Sequence, residues 1–277
     1  MTPSSGRRRG RAALALAGAA LLLLSACTAG EEPTSAPSAT PTQATETPTP
    51  SAPSASPSAE PTPSAEPESS AEPEPTTANA RIRPVPRAQW RRMVAAGMVY
   101  DACPVRSRDV LRRVVVNHHK YDGTVARGVL VVNADVARSV ARIMTRLFDA
   151  EFPIRRMEPV EAYDGDTLRS LQADNTSAFN CRRPDQINAP PTASPHANGR
   201  AIDINPRRNP WMDLRCECWS PSARFADRTP GPGKVLEGGV VWKAFIDEGW
   251  VWQNIDVPDY MHFDTGYPSR PFDDTAD

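Results

Sequence analysis

The sequence SPHANGRAID occupies residues 194–203, and the sequence DYMHFD occupies residues 259–264. The first stretch contains His196 and Asp203, and the second contains His262. Two imidazoles and one carboxylate form a three-ligand set that leaves a fourth coordination position open for water, as catalytic zinc sites do. The two stretches therefore predict a site for one zinc ion, with ligands from distant parts of the chain.

The residues beside Asp203 predict how the first stretch folds. The step from His196 to Asp203 contains Gly199 and suits a loop better than one helical turn. We predict that this loop leads into a strand at residues 201–204. Successive side chains of a strand point to opposite faces, so Asp203 would face a cleft while the isoleucines on either side of it face the core.

Further carboxylates lie close to the second histidine. Asp259 precedes His262 by three residues and is the candidate general base, which would take a proton from the activated water. Asp256 is the alternative base. Asp264 follows His262 on a predicted strand and shares its face, so it could orient the imidazole or cap the strand end. We expect Ser194 to donate a hydrogen bond to the substrate or to a metal ligand.

The N-terminal segment has the order of a secretory signal. Four arginines within residues 7–11 precede an apolar run at 12–24, which is short for a membrane-spanning helix. The ending Leu-Ser-Ala-Cys27 resembles a bacterial lipobox; the alternative is an ordinary signal peptide with a chance cysteine. We therefore predict a signal peptide at 1–27 and a lipid at Cys27, which would anchor the protein to the outer face of the cytoplasmic membrane.

Residues 28–80 consist mainly of Pro, Thr, Ser, Ala and Glu, with no aromatic residue. Such a composition cannot bury enough surface to offset the entropy of ordering, so we predict a disordered stalk. The remaining residues, 81–277, are long enough for one domain and hold all six tryptophans. The net charge of −1 does not indicate a nucleic-acid partner, and we expect a monomer.

The periodicity within 81–277 predicts an α+β domain with a largely antiparallel sheet flanked by helices. A hairpin is indicated around Tyr121-Asp-Gly123. Asn133 is the predicted N-cap of a helix whose apolar stripe ends at Phe148. The other predicted elements are helices at 87–95 and 240–248, and strands at 110–116, 129–132, 152–157, 250–252 and 260–263.

Four cysteines remain after Cys27, namely Cys103, Cys181, Cys216 and Cys218. In an exported protein an even number of cysteines predicts two disulfides. A bond between Cys216 and Cys218 would close a very tight ring, so we expect each of them to pair with Cys103 or Cys181. The alternative is a thiolate zinc site.

Three segments resemble the M15 family of zinc peptidases that act on peptidoglycan, and they lie at residues 174–182, 194–206 and 259–264. The resemblance extends over about residues 108–265. It implies zinc ligands at His196, Asp203 and His262, a general base at Asp259, and a substrate-binding arginine at Arg182. Because the arginine segment reads NCRRP, Arg183 is the alternative.

The resemblance implies that the substrates are peptidoglycan stem peptides. It covers carboxypeptidases that remove a terminal D-Ala from D-Ala–D-Ala and endopeptidases that cut between L-Ala and D-Glu, and the choice between them stays open. A hypothesis of another class is a non-catalytic, wall-binding lipoprotein with a structural zinc.

Overall fold

The computed structural model describes residues 74–186 and 191–274, and the predictions of a signal peptide, of a lipid at Cys27 and of most of the stalk lie outside these residues. The fold is α+β with mainly antiparallel strands, as predicted. In chain order the elements are β1 Arg81–Pro84, α1 Arg87–Ala95, β2 Leu111–His119, β3 Val125–Asn133, α2 Ala137–Asp149, β4 Arg156–Met157, α3 Thr167–Gln172, β5 Asn175–Thr176, β6 Ala201–Asp203, β7 Trp211–Asp213, β8 Cys218–Ser220, α4 Val240–Ile246, β9 Val251–Trp252 and β10 His262–Asp264. Within the described ranges no helix is long and apolar enough to cross a membrane.

The first sheet has the strand order β1-β2-β3 and is antiparallel throughout. The hairpin between β2 and β3 is confirmed, and Gly123 has a φ of +81° in its turn. The inward side chains of β2 and β3 pack against the apolar stripe of α2, where Val140, Ile143 and Leu147 are fully or almost fully buried. This contact forms the larger part of the hydrophobic core.

The predicted N-cap at Asn133 was wrong. Asn133 is the last residue of β3, and α2 begins only at Ala137. The Asn133 side chain instead accepts a hydrogen bond from the amide of Asp135 (3.4 Å) and donates one to the carbonyl of Asn198 (2.9 Å). It therefore joins the end of the first sheet to the loop that carries His196.

The second sheet has the strand order β6-β10-β9 and is also antiparallel. The strands predicted at 250–252 and 260–263 both belong to it, shifted by one or two residues. Strand β6 pairs with β10 and places Ile202 opposite Phe263 in the core. Phe263 stacks on Phe245 of α4, with the ring centroids 4.0 Å apart. Helix α4 ends before Gly249, which has a φ of +80° as a helix stop requires.

Other small elements depend on tertiary contacts. The strand predicted at 152–157 is reduced to β4, which pairs with β5 in the one parallel ladder of the described residues. Helix α3 was not predicted; the carboxylate of Asp166 caps it by accepting a hydrogen bond from the amide of Arg169. The β7–β8 hairpin was not predicted either, although two prolines, Pro210 and Pro221, border its sequence.

The two disulfides were predicted, but their pairing was wrong. Cys103 pairs with Cys181, and Cys216 pairs with Cys218. Cys216 and Cys218 lie at the turn of the β7–β8 hairpin, where Glu217 has a φ of +51°. The Cα atoms of the two cysteines are 5.1 Å apart there, which is within the range that a disulfide spans. The hairpin turn thus allows the short ring.

Candidate metal centre

The structure brings His196, Asp203 and His262 together. The antiparallel register of β6 and β10 places Asp203 directly opposite His262, and His196 reaches them from the loop before β6. His196 Nε2 lies 3.1 Å from His262 Nδ1, and each of these nitrogens lies 3.2 Å from Asp203 Oδ1. All three residues are buried. They are the one group of three metal-binding side chains in the described part of the chain.

This triangle has the size that a tetrahedral zinc ion needs. With zinc–nitrogen and zinc–oxygen bonds of about 2.0–2.1 Å, two ligand atoms of a tetrahedron lie about 3.3 Å apart. The three observed separations of 3.1–3.2 Å are close to that value. Two imidazole nitrogens and one carboxylate oxygen thus lie close to a common point. The donor set therefore fits one metal ion.

Each imidazole is held by an acceptor on its other nitrogen. His196 Nδ1 donates to the carbonyl of Ala178 at 2.8 Å, and His262 Nε2 donates to Asp264 Oδ2 at 2.9 Å. These bonds fix the proton on the outer nitrogen and leave the lone pair of the inner nitrogen for a metal. Asp264 also accepts from Asn254 and from the amide of Gly266, so it both orients the imidazole and caps the strand end.

The loop that carries His196 depends on Gly199. This residue has a φ of +71°, and a Cβ placed on it would lie 2.7 Å from the amide nitrogen of Asn133. The carbonyl of Gly199 accepts a hydrogen bond from that same amide at 2.8 Å. A glycine is thus required both for the turn and for the close approach of the two backbones.

The charged groups of the site shift one another's pKa values. Burial alone would raise the pKa of Asp203, but the imidazoles of His196 and His262 hold it well below its usual range. Burial alone would lower the pKa of His262, but its hydrogen bonds with Asp203 and Asp264 raise that pKa to about 10. With this pKa, His262 has to lose a proton when it becomes a metal ligand at neutral pH.

Asp259 lies on the same cavity as the three ligands, and this cavity has a volume of about 270 Å³. Burial raises the pKa of Asp259 to about 7, the charge of Asp203 adds to this shift, and the charges of His262 and Arg182 oppose it. Asp259 Oδ1 has no hydrogen-bond partner among the described residues. The alternative base, Asp256, is exposed and does not line the cavity.

The two candidate arginines point to different places. Arg182 lines the cavity, and burial lowers its pKa while the carboxylates of Asp203 and Asp259 oppose that shift. Arg183 does not line it; its Nε donates to Asp185 Oδ1 at 3.1 Å, and Nη1 donates to the carbonyl of Asp164 at 2.8 Å. The position in the cavity therefore favours Arg182 as the substrate-binding residue.

Ser194 also lines the cavity, and its Oγ accepts a hydrogen bond from the amide of Ala197 at 3.4 Å. Trp211 and Tyr267 also line the cavity and were not among the residues predicted for the site. Trp211 was missed because it belongs to the unpredicted β7–β8 hairpin.

The two remaining histidines have packing roles. His118 is buried and its Nδ1 donates to the carbonyl of Ile154 at 3.0 Å, while burial lowers its pKa. The ring of His119 packs against Phe148 with the ring centroids 4.4 Å apart. Neither residue lines the metal cavity.

Comparison with known proteins shows a similarity for this part of the chain. Residues 188–265 match a family model described as D-alanyl-D-alanine carboxypeptidase, one of the M15 peptidases. No curated protein and no solved structure gave a significant match. The matched segment contains Asp259 and all three candidate ligands, whereas Arg182 precedes it. The segment that carries the candidate metal ligands, residues 188–265, is therefore similar to the M15 peptidases.

Proposed function

We propose that this protein is a zinc-dependent peptidase that hydrolyses the stem peptides of peptidoglycan. The family match supports a peptidase that acts on the cell wall. The observation that carries the zinc dependence is the triangle of His196, Asp203 and His262, with sides of 3.1–3.2 Å and both imidazoles oriented by outer acceptors. Two imidazoles and one carboxylate, with a fourth position open, are a donor set that catalytic zinc sites use.

A bound zinc ion would supply Lewis acidity for the scissile carbonyl and would lower the pKa of a water molecule. Asp259 lies on the same cavity, and its raised pKa lets it accept a proton near neutral pH and return it to the leaving amine. Arg182 would bind a carboxylate of the stem peptide with two parallel hydrogen bonds. Ser194 would donate a hydrogen bond to the peptide. These roles account for Asp259, Arg182 and Ser194, three polar side chains that line the cavity beside the ligands.

The location of the protein is part of the proposal. A signal peptide at 1–27, a lipid on Cys27 and a stalk at 28–80 would hold the domain outside the membrane but within reach of the wall. Expression of the full chain with a Cys27→Ser control tests this. The parent protein is expected in the membrane fraction and the variant in the soluble fraction. Equal distribution of the two would contradict the anchor.

The second candidate function is wall binding with a structural zinc. Structural zinc sites are closed by four protein ligands, whereas catalytic sites keep one position open. Within the described residues the group offers three ligands that line a cavity of about 270 Å³. This geometry favours catalysis.

The experiment is incubation of the purified protein with muropeptides of defined sequence, followed by mass spectrometry. Hydrolysis is expected with added zinc and not with a chelator, and readdition of zinc should restore it. The Asp259→Asn variant is the matched control, because it should bind zinc without turnover. A parent protein that binds zinc and muropeptides but forms no product would favour the wall-binding function.

A further inference from the structure

A second cavity adjoins the metal cavity. Its volume is about 490 Å³, and three residues, Leu171, Arg182 and Trp211, line both cavities. This volume falls in the range of about 300–1,000 Å³ that is typical of ligand sites. The cleft therefore does not end at Arg182 but continues beyond it.

The walls of the second cavity carry both apolar and charged side chains; the charged ones are Asp166, Arg182, Asp185, Asp213 and Arg215. Helix α3 contributes Leu168, which is 51% exposed, and the opposite wall is the β7–β8 hairpin with Trp219 and the disulfide between Cys216 and Cys218. An exposed leucine beside a catalytic cleft is surface that a bound molecule can cover. Polar atoms at the rim, such as the hydroxyl of Ser220, could bind backbone groups of a peptide.

The hairpin wall is fixed to the segment that carries Asp259. The amide of Met212 donates to the carbonyl of Pro258 at 2.8 Å, and Trp211 pairs with Asp259 as an isolated β-bridge. Trp219 stacks on Tyr260 with the ring centroids 5.3 Å apart and the rings 19° from parallel. The second cavity is therefore a preformed continuation of the catalytic cleft.

We propose that this second cavity is a substrate subsite and that it receives the part of a peptide that extends beyond Arg182. The inference rests on the proposed peptidase function. A site that removes a terminal residue needs no further space beyond the group that binds the terminal carboxylate. Here Arg182 lines two cavities, so the carboxylate bound to it can be a side-chain carboxylate, or the free α-carboxylate of a γ-linked residue, inside a longer chain. The geometry thus points to cleavage of internal bonds, with the β7–β8 hairpin and Leu168 as determinants of specificity.

The test combines a series of peptides with two leucine variants. The wild-type protein with zinc is incubated with a stem peptide, and mass spectrometry locates the cleaved bond. The peptide is then shortened stepwise from either end without removing that bond. Shortening at the end that occupies the second cavity should lower kcat/KM about ten-fold or more, as expected for the loss of a buried apolar contact. In Leu168→Asp the same shortening should have little further effect, because the contact has already been lost.

Leu214→Asp is the matched control. Leu214 is 65% exposed on the same hairpin but does not line the cavity, so this variant should respond to shortening as the wild type does. Release of only a terminal residue, or equal effects of shortening in wild type and Leu168→Asp, would overturn the subsite. Failure of the wild type to cleave any of the peptides would instead overturn the proposed peptidase function.

Discussion

Asp264 is predicted to control metal affinity although it is not a ligand. Its Oδ1 accepts hydrogen bonds from Asn254 Nδ2 at 3.0 Å and from the Gly266 amide at 2.7 Å, while Oδ2 accepts from His262 Nε2 at 2.9 Å. In an Asp264→Asn variant the two donors hold the amide oxygen in the place of Oδ1. The amide NH₂ group then faces the Nε2–H of His262, so two donors oppose each other.

When His262 loses one proton to become a metal ligand, this conflict favours loss of the Nε2 proton, so that the remaining proton stays on Nδ1. That nitrogen is the one that lies 3.1–3.2 Å from the other two ligand atoms, so the proton would occupy the lone pair that a metal needs. Loss of such an outer acceptor costs about 10–100-fold in metal affinity, which corresponds to about 1.4–2.7 kcal/mol. We expect a loss in this range for Asp264→Asn.

The assay is a zinc titration against a chromophoric chelator, with circular dichroism as a check that the variant is folded. Asn254→Ala is the matched control, because it removes one donor from Asp264 but leaves the acceptor that faces His262. It should lose much less affinity. A folded Asp264→Asn protein that binds zinc as tightly as the parent would refute the reasoning that the carboxylate sets the tautomer.

Three other predictions concern protons and covalent bonds. Zinc binding at pH 7 should release protons, because His262 has a pKa of about 10 without metal and must be neutral as a ligand. Calorimetry in buffers of different ionisation enthalpy measures this proton release. Zinc binding without proton release would contradict the raised pKa of His262. The pKa of Asp259 is raised to about 7 in the folded state, so ionisation of Asp259 destabilises the metal-free fold as the pH rises from the unfolded pKa to about 7. The Asp259→Asn variant should therefore have a higher Tm than the parent above pH 7 but not at pH 4. Cys103 and Cys181 are 78 residues apart, so removal of their disulfide should lower the free energy of unfolding, measured with denaturant, by about 4 kcal/mol. Removal of the disulfide in the hairpin turn should lower it far less, because that bond closes a ring of only three residues. Equal losses from the two removals would argue against chain entropy as the main source of the difference.

The metal centre could be predicted from sequence because its residues obey local rules. The alternation in the strand around Asp203 requires neighbouring isoleucines to face the core, and Gly199 marks the turn before it. Asp264 follows His262 by two residues, so a strand places both on one face. In each of these cases the residues concerned are only a few positions apart in the sequence.

The missed features depend on contacts between distant segments. Helix α3 has only six residues, and the β7–β8 strands have three each, so their periodicity is too short to detect. The pairing of Cys216 with Cys218 follows from the turn of that hairpin and could not be deduced without it. Asn133 looked like a helix cap because its residue type suits one, but its side chain donates instead to the loop at Asn198.

The second sheet makes the core and the metal centre interdependent. Its central strand, β10, presents His262 and Asp264 to one face and Phe263 to the other, and β6 does the same with Asp203 and Ile202. A shift of one residue in this register would turn Asp203 or His262 towards the core and its apolar neighbour, Ile202 or Phe263, towards the cleft. Burial of the apolar side chains therefore selects the register that joins the ligands. The stability of the core and the geometry of the site come from the same three pairs of residues.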